Sequence, residues 1–249
     1  MKEPFKFKQF TIHQDRCAMK VGTDGVLLGA WTPLKNRPAT ILDIGAGTGL
    51  VALMLAQRSD AFSVDAVELD PDAYEQCVEN FEASPWADRL FCYHTDWMEF
   101  VGEFIEDGES HDKYNLIVSN PPFYKPPKTP SKAGRFMAEA RMKARFFEAL
   151  PFEKLLKGVS LLLSKDGVFA TIIPFSEEER FVALAEACKL YPNRITRVKG
   201  NPTSEIKRSL VEFAFYKIDP KIEGLTIELE RHFYTQEYID LTKDFYLKM

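Results

Sequence analysis

Apolar residues along this chain fall into short runs separated by amphipathic stretches. Thr40–Ile44, Ser63–Leu69, Leu90–His94, Tyr114–Ser119 and Val168–Ile173 have the length and content of buried strands. Between them the spacing predicts helices over Leu50–Arg58, Asp72–Ala83 and Phe146–Leu163, with another at Glu177–Leu190. Strands alternating with helices predict a parallel sheet covered on both faces, with ligands at the carboxyl ends of the strands. The pattern breaks at Arg194–Lys199 and Ser209–Lys217, which are strand-like and separated only by the polar stretch Asn201 to Arg208. No helix fits between them, so they are expected to form an antiparallel hairpin.

The flanks read differently. Phe5, Phe7, Phe10 and Ile12 alternate with polar residues and predict a short hairpin or extended arm. Thr23 or Asp24 is expected to N-cap a helix carrying Val26, Leu27, Leu28, Ala30 and Trp31 that stops near Pro33. Residues 219–249 add the strand-like run Leu225–Leu229 and an aromatic-rich end. The expected organisation is therefore one domain over residues 1–249. Its core is 37–218, its N-terminal extension 1–36 and its C-terminal extension 219–249. The segment Pro126–Gly134 reads as a loop.

A length of 249 residues suits one decorated α/β domain, and 45% hydrophobic content can bury a sizeable core. No apolar run approaches membrane-spanning length, and Met1-Lys2-Glu3-Pro4 opens no signal-peptide pattern. Cys17, Cys77, Cys92 and Cys188 lack paired spacing, which fits reduced core residues in a cytoplasmic protein. His13, His94, His111 and His232 are scattered, so no metal site is expected. A net charge of −5 argues against bulk electrostatic binding of nucleic acid, but the charges are unevenly placed. Residues 99–112 hold Glu99, Glu103, Glu106, Asp107, Glu109 and Asp112 without a cation, and read as a solvated face. Residues 124–157 carry nine cations against three acidic residues, which suggests a polyanionic substrate beside whatever site precedes them.

Two strand ends carry the candidate chemistry. Asp43-Ile44-Gly45-Ala46-Gly47-Thr48-Gly49 is a glycine turn leaving a buried strand, where backbone approaches a ligand closely. The dinucleotide fingerprint is not met, because Leu50 stands where its third glycine belongs. S-adenosylmethionine, which has no phosphate, suits this turn better. Asp43 either faces the donor's ammonium, caps the turn, or does both. Glu68, ending the second strand, is placed to accept both ribose hydroxyls, with Asp70 as the cap of the next helix. Asp96 either accepts from the adenine amino group or N-caps the helix that follows.

The other strand end is Asn120-Pro121-Pro122-Phe123. An exocyclic amine on adenine is a poor nucleophile because its lone pair is delocalised into the ring. Acceptors at Asn120 Oδ1 and the Pro121 carbonyl would draw its hydrogens out of plane and favour the pyramidal nitrogen of the transition state. Phe123 would stack on the base, a contact worth about 1–3 kcal/mol. No strong general base is required, and transfer depends on holding nitrogen, methyl and sulfonium in line.

Through these motifs the chain resembles the class I, Rossmann-like S-adenosylmethionine-dependent methyltransferases. More narrowly it resembles the bacterial tRNA(Val) adenine-N6 methyltransferase family, which modifies adenine 37, just 3′ of the anticodon. That resemblance rests on Phe7–Phe10, Asp15–Gly25, Leu28–Trp31, Ser84–Ala87 and the ending from Tyr238 to Met249. It implies a mostly parallel seven-stranded sheet with an antiparallel C-terminal hairpin strand, S-adenosylmethionine as donor, and the tRNA(Val) anticodon loop as acceptor, without metal, membrane or stable protein partner. By the same resemblance Asp43, Gly45, Gly47 and Gly49 hold the donor, Glu68 its ribose and Asp96 its adenine, while Thr23 and Asp24 border its methionine end. Asn120, Pro121 and Phe123 match the acceptor motif. Family members often carry Tyr in the fourth place, so Phe123 keeps the stacking face without the hydroxyl.

Other readings are a protein glutamine-amide methyltransferase, as in the release-factor enzymes, a non-catalytic tRNA-binding module on the same fold, and small-molecule O-methylation. The first usually carries an N-terminal helical domain, and here only about 40 residues precede the glycine turn. The second would be signalled by loss of Asn120 or a turn glycine, and all are present. The third needs a base or metal, and none is evident.

Overall fold

The computed structural model describes residues 3–17, 20–106, 113–122 and 150–249. Phe123, the Pro126–Gly134 segment, most of the basic run and the first residues of the helix expected from Phe146 lie outside the described residues.

A short antiparallel pair, β1 (Phe5–Lys6) and β2 (Thr11–Ile12), opens the chain and is followed by α1 (Thr23–Trp31). Alternation then runs through β3 (Thr40–Ile44), α2 (Leu50–Arg58), β4 (Ser63–Glu68), α3 (Pro71–Glu82), β5 (Leu90–His94), α4 (Trp97–Glu106) and β6 (Tyr114–Ser119). After the undescribed segment come α5 (Phe152–Leu162), β7 (Leu163–Pro174), α6 (Glu178–Ala187), β8 (Tyr191–Lys199) and β9 (Ile206–Ala214). Residues 219–249 supply β10 (Lys221–Thr226), β11 (Glu228–Glu230), β12 (Phe233–Tyr234) and α7 (Gln236–Thr242).

The main sheet has the order β10-β8-β9-β7-β6-β3-β4-β5. Strands β5, β4, β3, β6 and β7 are mutually parallel, and β9 joins antiparallel to both β7 and β8, as the hairpin expectation required. The expected seven strands are all present. An eighth, β10, adds parallel to β8 at the edge, from the segment in which only Leu225–Leu229 had read as strand-like. One face of the sheet packs α1, α2 and α3 around Leu28, Met54 and Phe81; the other packs α4, α5 and α6 around Trp97, Leu156 and Phe181.

Several local expectations need correction. Neither Thr23 nor Asp24 caps α1: the cap is Gly22, which offers no side chain, and Thr23 is already helical. The Asp24 carboxylate is drawn instead to Arg208, 2.8 Å away on β9. Leu163 starts β7 rather than ending the preceding helix, and α6 begins one residue later than expected, after a 3₁₀ turn over Phe175–Glu177. Glu99, Glu103 and Glu106 are exposed along α4, in keeping with a solvated face.

The two ends of the chain meet. Phe7 bridges to Tyr246, the Lys8 amide donates to the Phe245 carbonyl at 2.8 Å, and the Phe7 and Tyr246 rings stack with centroids 5.9 Å apart. No helix among the described residues is long and apolar enough to cross a membrane.

Candidate active site

The candidate residues line the carboxyl edge of the sheet in strand order. Asn120 follows β6, Asp43 and the glycine turn end β3, Glu68 ends β4 and Asp96 follows β5. Neighbouring strands lie about 4.8 Å apart, so β3 to β5 spans about 10 Å.

The turn is built by its backbone. Gly45, Gly47 and Gly49 all have positive φ, at 72°, 57° and 78°. A Cβ at Gly45 or Gly47 would project into open space, which is the room a ligand needs against the backbone. Gly49 serves packing as well, since a Cβ there would stand 2.5 Å from the Phe81 ring of α3. The Gly45 and Ala46 amides both donate to the Val67 carbonyl on β4, at 2.8 and 3.2 Å, which anchors the turn to the sheet.

The two carboxylates beside the turn are buried. Asp43 Oδ2 accepts from the Ala52 amide at 3.1 Å, in the first turn of α2, so its capping role is present. Burial lifts its carboxyl to about 7, against the Ala52 hydrogen bond, which pulls the other way; the nearby Glu68 raises it further. Glu68 Oε2 accepts from the Gly47 amide and Oε1 from the Asp70 amide, both at 2.8 Å, and burial raises its carboxyl while these N–H groups lower it. Each Glu68 oxygen keeps lone pairs for a further donor. Asp70 caps α3 by accepting from the Ala73 amide at 2.9 Å, leaving Glu68 as the carboxylate turned to the edge. Asp96 Oδ1 accepts from the Met98 amide at 2.7 Å and so caps α4.

A cavity of about 320 Å³ joins the two strand ends, with Asp43, Gly45 and Gly47 on one side and Asn120 on another. Thr23 and Asp24 border it, as does Lys20, which the sequence reading did not single out. Glu68, Gly49 and Asp96 lie outside its lining; Glu68 is bonded to the lining residue Gly47, and Asp96 lies further along the edge. A larger groove, about 940 Å³, runs beside Tyr93 and Phe104 along the outer edge of the sheet and contains none of these residues.

Asn120 is partly exposed and Pro121 is buried. Two buried hydroxyls missed in the sequence fix the strand end before them. Ser119 Oγ donates to the Ile44 carbonyl and Thr171 Oγ1 donates to the Ser119 carbonyl, each at 2.9 Å. These bonds tie β6 to β3 on one side and to β7 on the other, immediately before Asn120. A serine closing Leu116–Ser119 and a threonine within Val168–Ile173, both otherwise apolar runs, were the available signal. Among the described residues no group of three or more His, Cys, Asp or Glu side chains is placed to hold a metal ion.

Residues 25–145 match the family model of the methyltransferase small domain, the class that a glycine turn and an Asn-Pro-Pro strand end sharing one cavity lead one to expect. The crystal structure of a predicted O-methyltransferase from Agrobacterium tumefaciens shares the fold, with a TM-score of 0.64 over 89% of this chain and 96% of that one, at 18% identity. Much nearer in sequence is a tRNA1(Val) (adenine(37)-N6)-methyltransferase of Flavobacterium johnsoniae, 58% identical over 98% of this chain and 100% of that protein. Proteins of the same name from Bacteroides fragilis, 47% identical with both chains fully covered, and Pectobacterium carotovorum subsp. carotovorum, 43% identical over 100% and 95%, match as well. The chain belongs to the tRNA1(Val) (adenine(37)-N6)-methyltransferase family.

Proposed function

We propose that this protein transfers a methyl group from S-adenosylmethionine to N6 of adenine 37 in the anticodon loop of a valine tRNA. The observation that supports this reading is a cavity bordered by both the glycine turn and Asn120, where a donor and a planar amine could meet. The residues fit the donor: open space over Gly45 and Gly47, a buried carboxylate at Asp43 for an ammonium, and a second at Glu68 with free lone pairs for ribose hydroxyls. Bound there, S-adenosylmethionine supplies an electrophilic methyl on a sulfonium.

Asn120 Oδ1 and the Pro121 carbonyl accept the amine hydrogens and turn the nitrogen lone pair toward the methyl. Phe123 provides a stacking face for the base. The nitrogen–carbon bond forms as the carbon–sulfur bond breaks, its electron pair remains on sulfur, and the proton on nitrogen leaves to water. An unpaired anticodon-loop base is turned into such a site more cheaply than one in a duplex. A tRNA substrate places the reaction in the cytoplasm. In this reading residues 37–218 form the catalytic core, and 1–36 and 219–249 are extensions of the same domain.

A glutamine amide offers a similar planar nitrogen, and likeness to tRNA-modifying relatives along nearly the whole chain favours RNA over it. The test is methylation of unmodified tRNA transcripts with labelled donor, followed by nucleoside mapping. Label in N6-methyladenosine at position 37 of valine tRNA is expected. Label found only in protein, or no label at all, overturns the proposal.

Asp43 adds a pH dependence. Its folded carboxyl, near 7, holds a proton that the unfolded chain, near 3.8, has already released. Stability from this residue therefore falls as pH rises from about 4 to 7 and is flat above. Donor affinity runs the other way, because the ammonium needs the carboxylate: it should rise from pH 5.5 to 7 and fall above about 8, where the donor's own α-amino group loses its proton. Asp43→Asn should abolish the acidic limb in calorimetric titrations and gain thermal stability at pH 8 relative to pH 5. An unchanged acidic limb would remove Asp43 from donor binding.

A further inference from the structure

Helix α3 buries two polar amides one turn apart, Gln76 and Asn80, each only 1% exposed. The core-facing side of the helix is already provided by Cys77 and Phe81, so these amides have another purpose. Asn80 Oδ1 accepts from the His13 amide at 2.8 Å, while its Nδ2 donates to the His13 carbonyl and to the Thr48 carbonyl, both at 2.9 Å. Both polar atoms of the Asn80 amide are thus bonded, and these bonds join the N-terminal arm to the glycine turn. Gln76 Oε1 accepts from the Arg16 amide at 3.3 Å, and Gln14 Oε1 accepts from the Val21 amide at 2.8 Å, which fixes the arm next to Gly22. Beyond that point Lys20, Gly22 and Thr23 border the donor cavity, which Thr48 borders from the turn. Cys17 is buried in the same stretch, close enough to Glu68 and Asp70 for their charges to add to the burial that pushes its thiol up to about 12.

We propose that Asn80 is a positioning residue for the methyl donor: it holds the arm and the glycine turn in one register, so that residues 20–23 roof the cavity beside Asp43. This rests on reading the cavity as the donor site. Asn80 touches neither donor nor acceptor and acts through Thr48 and His13. The exposed ion pairs from Arg16 to Glu75 and Glu79, at 3.1 and 2.9 Å, add little, because water screens them. The stretch from His13 to Arg16 is therefore held mainly by the amides, while Phe7 and Lys8 are tied to Phe245 and Tyr246. Loss of the clamp opens one wall of the cavity to water and weakens donor binding, while Asn120, on its own strand end, keeps its geometry. The effect falls on the KM for donor rather than on kcat.

The experiment measures binding of S-adenosylmethionine and S-adenosylhomocysteine by calorimetry, and steady-state kinetics with saturating tRNA, for the full chain and for Asn80→Ala. Donor Kd and KM are expected to rise about tenfold, the effect of one or two lost buried hydrogen bonds, with kcat at saturating donor within about twofold of the parent. A variant with lowered Tm but parental donor Kd and KM overturns the proposal, since a merely structural amide would behave that way. Should Asn80→Ala fail to fold, Gln14→Ala, which frees only the Val21 amide near the surface, takes its place. It should raise donor KM several-fold at unchanged Tm, and a parental KM overturns the roof. A parent chain that binds neither compound overturns the donor-site reading itself.

Discussion

Replacing Asn120 by alanine is expected to leave donor binding nearly intact and to lower turnover about 10²–10³-fold, the usual cost of removing a preorganised transition-state partner. Asn120 lines the cavity beside the glycine turn, and the strand end before it is fixed by the Ser119 and Thr171 hydroxyls. In the substrate the amine is flat and bonds weakly to an out-of-plane acceptor; in the transition state it is pyramidal and bonds well. A loss confined to the transition state appears equally in kcat and kcat/KM. Single-turnover measurement with saturating donor and RNA separates this from slow product release. A variant methylating at the parental rate would refute the assigned chemistry.

Glu68→Ala should invert that pattern. Two hydroxyl hydrogen bonds to a buried carboxylate contribute about 2–4 kcal/mol, so donor affinity is expected to fall roughly 30- to 1000-fold, with a smaller change in the chemical step once donor is saturating. The substitution also leaves the Gly47 and Asp70 amides without their acceptor, so part of the loss arises from a loosened turn. Glu68→Gln distinguishes the two contributions. Its single carbonyl oxygen can hold one of the amides while ribose recognition is still impaired. Normal donor affinity in both variants would move the ribose contact elsewhere.

Local chemistry explains which parts of this molecule were readable beforehand. The bounds of α2 follow from a glycine turn at one end and Ser59 at the other, and the structure agrees with them residue for residue. Asp70 as the cap of α3 follows from its place before Pro71. Non-local partners were the source of the misses. Asp24 looked like a cap because its partner, Arg208, lies 184 positions away. Gln76 and Asn80 carried no signal of their own, since nothing near them in the chain announces that an arm will cover that side. Strand β10 is half exposed, so its alternation is weak, and only pairing with β8 defines its limits. At the site, Asp43, Gly45, Gly47 and Asn120 were legible as residues that face one another across two strand ends, whereas the part that Lys20 and Gly22 take in the lining was not.

The contact between Phe7 and Tyr246 has a bearing on how the protein is made. Ribosomes add about 5–20 residues per second, so roughly 12–50 s separate the synthesis of these two residues. Throughout that interval the first strand pair lacks part of its seat, because Phe245 and Tyr246 have not been translated. Strands β3 to β9 can pair earlier, since β9 ends at Ala214, well before Tyr246. A nascent chain is thus expected to form β3 to β9 of its sheet before its first strand pair gains the contacts to Phe245 and Tyr246.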